Sequence, residues 1–126
     1  MNHNTIALSQ LDYPYFFIQC DGKGKLVRIL KEDIAYVESA LNYLVIHLQS
    51  GSYTTYLTIS ELEEILPSVR FIRVHKSFLI NLEKIIGVEG NVLHLNNDAR
   101  VALGPSYRKS FFERLEPMLV RSKRKG

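Results

Sequence analysis

The chain has 126 residues, of which 46% are hydrophobic and 23% charged, the balance of one soluble globular domain with its own core. Cys20 is the single cysteine, which excludes a disulfide framework and a cysteine-based metal site. No apolar run approaches the roughly 20 residues of a membrane-spanning helix, and the N-terminus lacks a secretion signal. We therefore expect a cytoplasmic protein without membrane insertion, in which Cys20 is a buried thiol.

Charge is distributed unevenly along the chain. The net charge is +3, but residues 1–66 carry four Lys or Arg against eight Asp or Glu, whereas residues 67–126 carry twelve against five. A basic C-terminal half favours a polyanionic partner, because neutralising phosphates releases condensed counterions. A solvated face with a basic tail would produce the same asymmetry, so charge alone leaves both interpretations open.

The first half of the chain predicts five short strands and a helix. Each strand is a run of β-branched, aromatic and aliphatic residues bounded by turn-forming residues. The predicted strand ranges are 15–20, 25–30, 34–38, 43–48 and 53–57. Residues 21–24 are predicted to turn the first pair into a hairpin. The helix is expected to begin at Thr58, which forms a capping-box pair with Glu61, and to stop at Pro67.

The second half predicts five more strands and a C-terminal helix. The predicted strand ranges are 71–74, 78–81, 85–89, 92–96 and 99–103. Ser106 is expected to N-cap a helix over residues 107–119, and Pro117 to kink it or end it early. Since strands and helices do not alternate, these elements predict a mostly-β fold, either a sandwich or stacked antiparallel sheets.

The same pass along the chain predicts one domain. It extends over residues 15–120, after an N-terminal extension at 1–14 and before a flexible basic tail at 121–126. No linker or shift in composition marks a second domain. The two flanking segments are too short to form domains of their own.

Catalytic chemistry has little support in the sequence. The four histidines, His3, His47, His75 and His94, lie in separate elements, and none pairs with another at a metal-ligand spacing. His47 and His94 are expected to be packed or strand-edge imidazoles. A phosphate-binding glycine loop and a nucleophile elbow are also missing from the sequence. We therefore expect a protein that is not an enzyme and that needs no cofactor or metal.

Three polar loops favour a binding surface instead. Residues 39–42 offer an amide suited to adenine, and residues 73–77 place four kinds of donor within five positions. Residues 106–109 are predicted at a helix N-terminus, which favours an anion such as phosphate. Each loop has a plain alternative, namely an Asx-type turn, a polar strand edge or a capped helix with exposed bases. The case depends on whether the fold brings the three loops to one face.

The segments around these loops resemble the LytTR family, a DNA-binding module found mostly in bacterial transcription regulators. The resemblance extends from about residue 16 to residue 119 and is carried by three motifs. They read IAYVES followed by Asn42-Tyr43, FIRVHKSFLIN at 71–81, and VALGPSYRK at 101–109. The resemblance implies an elongated β-β-β sandwich of three stacked antiparallel sheets, with a small connecting helix and a C-terminal helix.

The resemblance also implies which side chains meet DNA. Loops, rather than a recognition helix, would enter successive major grooves of double-stranded DNA, with Asn42, Lys76 and Arg108 at the bases. A second group is expected to contact the DNA backbone or support the loops. This group contains Tyr43, Arg73, His75, Ser77, Ser106, Tyr107 and Lys109. Within it, Arg73, Ser106 and Lys109 suit phosphate, whereas His75 is expected to hold its loop by hydrogen bonds.

A sequence-specific transcriptional regulator is the function that follows from the resemblance. Two copies are expected on repeated half-sites, as a homodimer on DNA, together with a regulatory protein partner. The family usually couples this module to an N-terminal receiver of two-component systems, for which the chain has no room. The chain is thus either a stand-alone regulator, which the initial methionine favours, or an excised domain. The alternative is a non-catalytic adaptor that uses sheet edges or aromatics such as Tyr53 and Tyr56.

Overall fold

The structure is a computed structural model that describes residues 13–20 and 24–124. The predicted hairpin turn lies outside these residues except for Gly24, as do residues 1–12 and the last two residues of the basic tail. The described residues form ten strands and two α-helices. The strands are β1 (Tyr15–Cys20), β2 (Lys25–Leu30), β3 (Ile34–Ala40), β4 (Tyr43–Leu48), β5 (Gly51–Thr55), β6 (Phe71–His75), β7 (Phe78–Asn81), β8 (Ile85–Glu89), β9 (Val92–Leu95) and β10 (Arg100–Ala102). The helices are α1 (Ile59–Ile65) and α2 (Arg108–Leu115).

The strands form three antiparallel sheets. One sheet pairs β1 with β2, the largest has the order β5-β4-β3-β7-β6, and the third has the order β10-β9-β8. Most neighbours in these sheets follow one another along the chain, so hairpins build each sheet locally. The predicted mostly-β fold of antiparallel sheets with two helices is confirmed.

The five-stranded sheet is the middle layer, because both of its faces are buried. Side chains alternate across a strand, and on β7 the neighbours Leu79 and Ile80 enter different cores. The first core contains residues of β1, β2 and α1, among them Ile18, Ile29 and Leu62. The second contains residues of β9, β10 and α2, among them Leu93, Val101 and Phe111. The sheet that carries two of the predicted loops is therefore supported on both sides.

Helix α1 begins with the predicted capping box. The Glu61 backbone N–H donates to Thr58 Oγ1 at 3.0 Å, and the Thr58 backbone N–H donates to Glu61 Oε1 at 2.8 Å. The helix ends at Ile65, ahead of Pro67 as predicted. Neither α1 nor α2, the α-helices of the described residues, has the length and apolarity that crossing a membrane requires.

The start of α2 differs from the prediction. Ser106 does not cap the helix, because it lies inside a 3-10 turn, Pro105–Tyr107, and α2 begins only at Arg108. Pro105 supplies the fixed φ and missing N–H that suit the first position of such a turn, so the 3-10 turn begins one residue before Ser106. The helix stops at Leu115, and Pro117 lies in the following 3-10 turn, so its predicted early end is confirmed.

Five strand ranges also differ from the prediction by one or two residues at one or both ends, namely those of β3, β5, β6, β9 and β10. Strand β5 begins at Gly51, which pairs with Leu48, so the preceding turn contains two residues instead of the predicted four. Strand β10 is limited to Arg100–Ala102, since the Leu103 N–H bonds to Asn91 and the Gly104 N–H to Val74. Cys20 is a buried thiol, as expected.

Candidate nucleic-acid interface

Two hairpin turns lie at the same edge of the five-stranded sheet, namely the edge where strands β3 and β6 end and strands β4 and β7 begin. Strands β3 and β7 are antiparallel neighbours, so the end of β3 lies beside the start of β7. The Ser39 N–H donates to the Ser77 carbonyl oxygen at 2.8 Å, which ties the β3–β4 turn to the β6–β7 turn. Asn42 in the first turn and Lys76 in the second are both exposed. The fold therefore brings two of the three predicted loops together.

The segment that leads into α2 contacts the same edge of the sheet at Gly104. Its N–H donates to the Val74 carbonyl oxygen at 2.7 Å, near the end of β6. A Cβ at position 104 would lie 3.3 Å from Tyr107 Cδ2 and 3.4 Å from His75 Cδ2, so a larger residue would press on both rings. This close approach sets the third predicted loop beside the β6–β7 turn.

Arg73 holds the β6–β7 turn in shape. Its Nε donates to the His75 carbonyl oxygen at 3.0 Å, and its Nη2 donates to the Lys76 carbonyl oxygen at 2.6 Å. Its Nη1 donates to Glu63 Oε1 of α1 at 3.0 Å. All three nitrogens of the guanidinium are thus engaged with the protein. The turn that carries Lys76 is anchored to a helix.

His75 stabilises the same turn from within. Its Nδ1 accepts a hydrogen bond from the Ser77 backbone N–H at 3.0 Å, and its ring centroid lies 5.0 Å from that of Phe78. Because Nδ1 is the acceptor, the proton of the neutral imidazole is on Nε2. The backbone on both sides of Lys76 is therefore constrained.

Arg108 extends from α2 to a fourth turn, which joins β8 to β9. Its Nη1 donates to Asn91 Oδ1 at 2.6 Å and to the Gly90 carbonyl oxygen at 3.2 Å. The guanidinium carbon lies 4.9 Å from the centroid of the Phe112 ring. Nε and Nη2 make no hydrogen bond to the described part of the chain. Arg108 is thus a positioned, exposed cation with donors to spare.

The remaining predicted residues divide by exposure. Ser106 and Lys109 are exposed on either side of Arg108, while Tyr43 and Tyr107 are half-buried. Tyr107 packs against Gly104, at the contact between α2 and β6. The exposed members can meet a ligand, whereas the half-buried tyrosines help to form the edge.

Sequence reasoning missed three residues that shape this surface. Glu63 and Asn91 hold Arg73 and Arg108 although they lie 10 and 17 positions away along the chain. Leu41 stands at the tip of the β3–β4 turn and is 96% exposed. Leu41 lay within the predicted four-residue loop 39–42, and the two-residue turn became visible only in the structure. The sequence holds no signal for the two long-range contacts.

The other titratable groups near the sheet are paired or packed. His47 Nε2 lies 2.9 Å from Glu38 Oε1, and its ring stacks on Tyr36 at 4.2 Å, while His94 Nε2 lies 3.3 Å from Glu89 Oε1. Burial, with a smaller contribution from the Glu38 carboxylate, raises the pKa of Tyr36 above its ordinary 10.0. Residues 13–20 and 24–124 contain no group of three or more His, Cys, Asp or Glu that could hold a metal ion.

Together, the fold and this edge define a class of protein: a β-rich binding domain whose candidate interface consists of loops carrying cationic and amide donors. A family profile described as the LytTr DNA-binding domain matches residues 24–116. The chain belongs to this family, which makes it a DNA-binding domain. The resemblance noted in the sequence is therefore confirmed.

Individual relatives agree with the family assignment. The chain is 31% identical over 103 residues to the sensory transduction protein LytT of Enterococcus faecalis, covering 78% of this chain and 43% of that protein. It is 34% identical over 64 residues to the protein of the same name from Bacillus cereus, covering 51% and 26%. The chain thus spans less than half the length of these relatives. A solved LytTr DNA-binding domain from Bacillus cereus has the same fold, with a TM-score of 0.73 at 21% identity, covering 82% of this chain and 97% of that one.

Proposed function

We propose that this domain binds double-stranded DNA sequence-specifically and reads major grooves with loops, as part of a cytoplasmic transcriptional regulator. The observation that carries the proposal is the convergence of three loops at one sheet edge. The bonds Ser39–Ser77 and Gly104–Val74, at 2.8 and 2.7 Å, hold these loops side by side. Loops along one edge can enter successive grooves on one side of a duplex. No covalent chemistry is part of this role.

Three exposed side chains are assigned to the bases. Lys76 and Arg108 can donate to guanine O6 and N7, and the Asn42 amide can both donate to and accept from adenine. Arg108 uses Nη1 within the protein, which leaves Nε and Nη2 for a base. Lys76 extends from a turn in which its own carbonyl oxygen and that of His75 are already bonded to Arg73.

The other predicted residues are assigned to positioning. Ser106 and Lys109 are exposed beside Arg108 and suit phosphate oxygens, which orient a protein on DNA without conveying sequence. Arg73 was expected to suit phosphate, but its three contacts within the protein favour support of the loop instead. His75 and Ser77 act in the same turn through their mutual hydrogen bond. Tyr43 and Tyr107 support the edge.

Two copies on repeated half-sites, forming a homodimer on DNA, complete the proposal. An edge of three short loops reads few base pairs. A second copy would read further base pairs and so help to distinguish the target from the many competing sites of a genome. The relatives are named sensory transduction proteins. By analogy, a regulatory protein partner would convey a signal to this domain.

Selection from a random duplex library at near-physiological salt tests the proposal. An enriched pair of spaced repeats is the expected result, and Lys76→Ala or Arg108→Ala should each weaken binding to the enriched duplex by roughly 1–3 kcal/mol. Arg100→Ala is a matched control, because Arg100 is an exposed cation on β10 whose side chain makes no hydrogen bond in the described residues. Unchanged binding by both variants, with the fold intact, would remove the base-reading assignment.

A protein-interaction adaptor is the second candidate, and a separate observation favours it. Strand β5 is an outer strand of the five-stranded sheet. Tyr53 lies in this strand and is 36% exposed, and Tyr56 follows it and is 77% exposed. An extended peptide could add to such an edge. A mobility shift with random duplex DNA separates the two functions. An adaptor needs no polyanion and would leave the DNA unshifted at any salt concentration.

A further inference from the structure

The tip of the β3–β4 turn contains a leucine in a backbone conformation that leucine rarely adopts. Strands β3 and β4 remain paired as far as Ala40 and Tyr43, so the turn consists of Leu41 and Asn42 alone. Leu41 has a φ of 49°, in the left-handed region. Two-residue hairpin turns with a positive φ at this position normally place glycine there, because a Cβ strains the backbone. Leucine at this position therefore destabilises the turn.

Packing within the protein does not offset this strain. Leu41 is 96% exposed, and among the large apolar residues of the described chain only Val120, which precedes the basic tail, is as exposed. Leu41 lies instead between two well-paired strands, at the edge where Lys76 is exposed. A strained backbone that no packing within the protein offsets is typical of residues that act in binding, so the position of Leu41 indicates contact with a partner.

The second residue of the turn indicates what that partner offers. Asn42 is exposed next to Leu41, and its amide matches the hydrogen-bonding edge of adenine in the major groove. Adenine pairs with thymine, whose C5-methyl group is the apolar feature of the major groove. An amide and an isobutyl group on adjacent residues therefore complement the two kinds of group that an A·T pair presents.

We propose that Leu41 is a further specificity-determining residue, which contacts the C5-methyl group of a thymine. This inference rests on the proposed function, because the β3–β4 turn must enter the major groove for the contact to form. A two-residue turn between paired strands has little conformational freedom, so the backbone holds the isobutyl group beyond the ends of β3 and β4. Glycine would relieve the strain and lose the contact.

The test compares thymine with deoxyuridine, which lacks only the methyl group. The full chain is titrated with its enriched duplex and with copies in which single thymines are replaced by deoxyuridine. Replacing the contacted thymine, at one position in each half-site, should lower the affinity of the unmodified protein about 4-fold. This factor corresponds to the burial of one methyl group. Leu41→Gly should bind the thymine and deoxyuridine duplexes equally. Its thermal unfolding should occur at the same or a higher temperature.

Val120→Gly is the matched control, because Val120 is 98% exposed but lies outside the interface. This variant should keep the full sensitivity to the methyl group.

Equal affinity of the unmodified protein for all the duplexes would overturn the proposal, and so would the same methyl sensitivity in Leu41→Gly. If Leu41→Gly instead abolishes a DNA bend without any methyl dependence, Leu41 acts as a wedge between bases and the methyl contact is wrong. If the library enriches no duplex, the proposed function fails and this inference fails with it.

Discussion

At the scale of single residues, the candidate interface depends on side chains that shape it without needing to touch DNA. Arg73 bonds to the carbonyl oxygens of His75 and Lys76, where the chain enters the β6–β7 turn, and to Glu63 of α1. Arg108 is held by Asn91, and its guanidinium lies over Phe112. A surface arranged before binding loses less conformational entropy when the ligand arrives. In the proposed function, positioning and reading are therefore tasks of different residues.

Replacing Arg73 separates these two tasks. Arg73→Ala removes the hydrogen bonds that hold the turn, so binding to the enriched duplex should weaken by about 1–2 kcal/mol. The slope of log K against log salt should stay the same, since no phosphate contact is lost. An arginine that bound phosphate would lower that slope by about one. Fluorescence anisotropy titrations at several salt concentrations measure both quantities.

Two glutamates of α1 provide the control for this prediction. Glu63→Gln removes the ion pair with Arg73 but leaves the two carbonyl contacts, so a smaller loss of affinity is expected. Glu64→Gln changes an exposed neighbour that makes no ion pair in the described residues and should have no effect. A salt slope lowered by about one in Arg73→Ala would contradict the positioning role.

The sequence indicated which residue types form the site, but only part of their arrangement. Three polar loops stood out from the residue pattern, and the resemblance to the LytTR family then implied Asn42, Lys76 and Arg108 as the residues at the bases. The contact of Arg108 with Asn91 and the positive φ of Leu41 depend on the folded backbone. Such features follow from tertiary packing, which a local sequence pattern does not encode.

At the scale of elements, local rules predicted most of the fold. Alternating apolar residues and short turns located all ten strands, and the Thr58–Glu61 pair marked the start of α1. Ser106 was misassigned as a cap because two local rules competed, and Pro105, which suits the first position of a 3-10 turn, prevailed over the capping preference of Ser106. The bond from Gly104 to Val74, which fixes the chain just before this turn, joins residues 30 positions apart that no local pattern connects.

The capping box of α1 provides a stability prediction at this scale. Thr58→Ala removes the hydroxyl that accepts from the Glu61 N–H, and such losses typically destabilise a protein by about 1 kcal/mol. Urea denaturation followed by circular dichroism should show a lower midpoint with an unchanged slope. Thr58→Ser keeps an oxygen at the cap and should stay close to the unmodified protein. An equally stable Thr58→Ala would mean that the box does not support the helix in solution.

At the scale of the whole molecule, the stacked sheets explain why the loops can be short. The five-stranded sheet has a hydrophobic core on each face. Packing on both faces fixes the backbone of its strands, and these strands hold the turns that connect them. A recognition helix is not needed to present side chains rigidly, because the sheet already does so. Sequence reading and general attraction to DNA can then reside in different parts of the chain.

The basic tail is expected to provide attraction without reading. Deleting residues 121–126 removes four cations: Arg121, Lys123, Arg124 and Lys125. Binding should weaken by the same factor on the enriched and on random duplexes, and the salt slope should fall by at most about 3 to 4. Arg121 is paired with Glu116 at 2.8 Å, so the observed decrease should lie below that limit. Because Val120, which precedes the tail, is 98% exposed and packs on nothing, the midpoint of unfolding should not change. A truncated protein that keeps its salt slope but loses its preference for the enriched duplex would show that the tail takes part in reading the sequence.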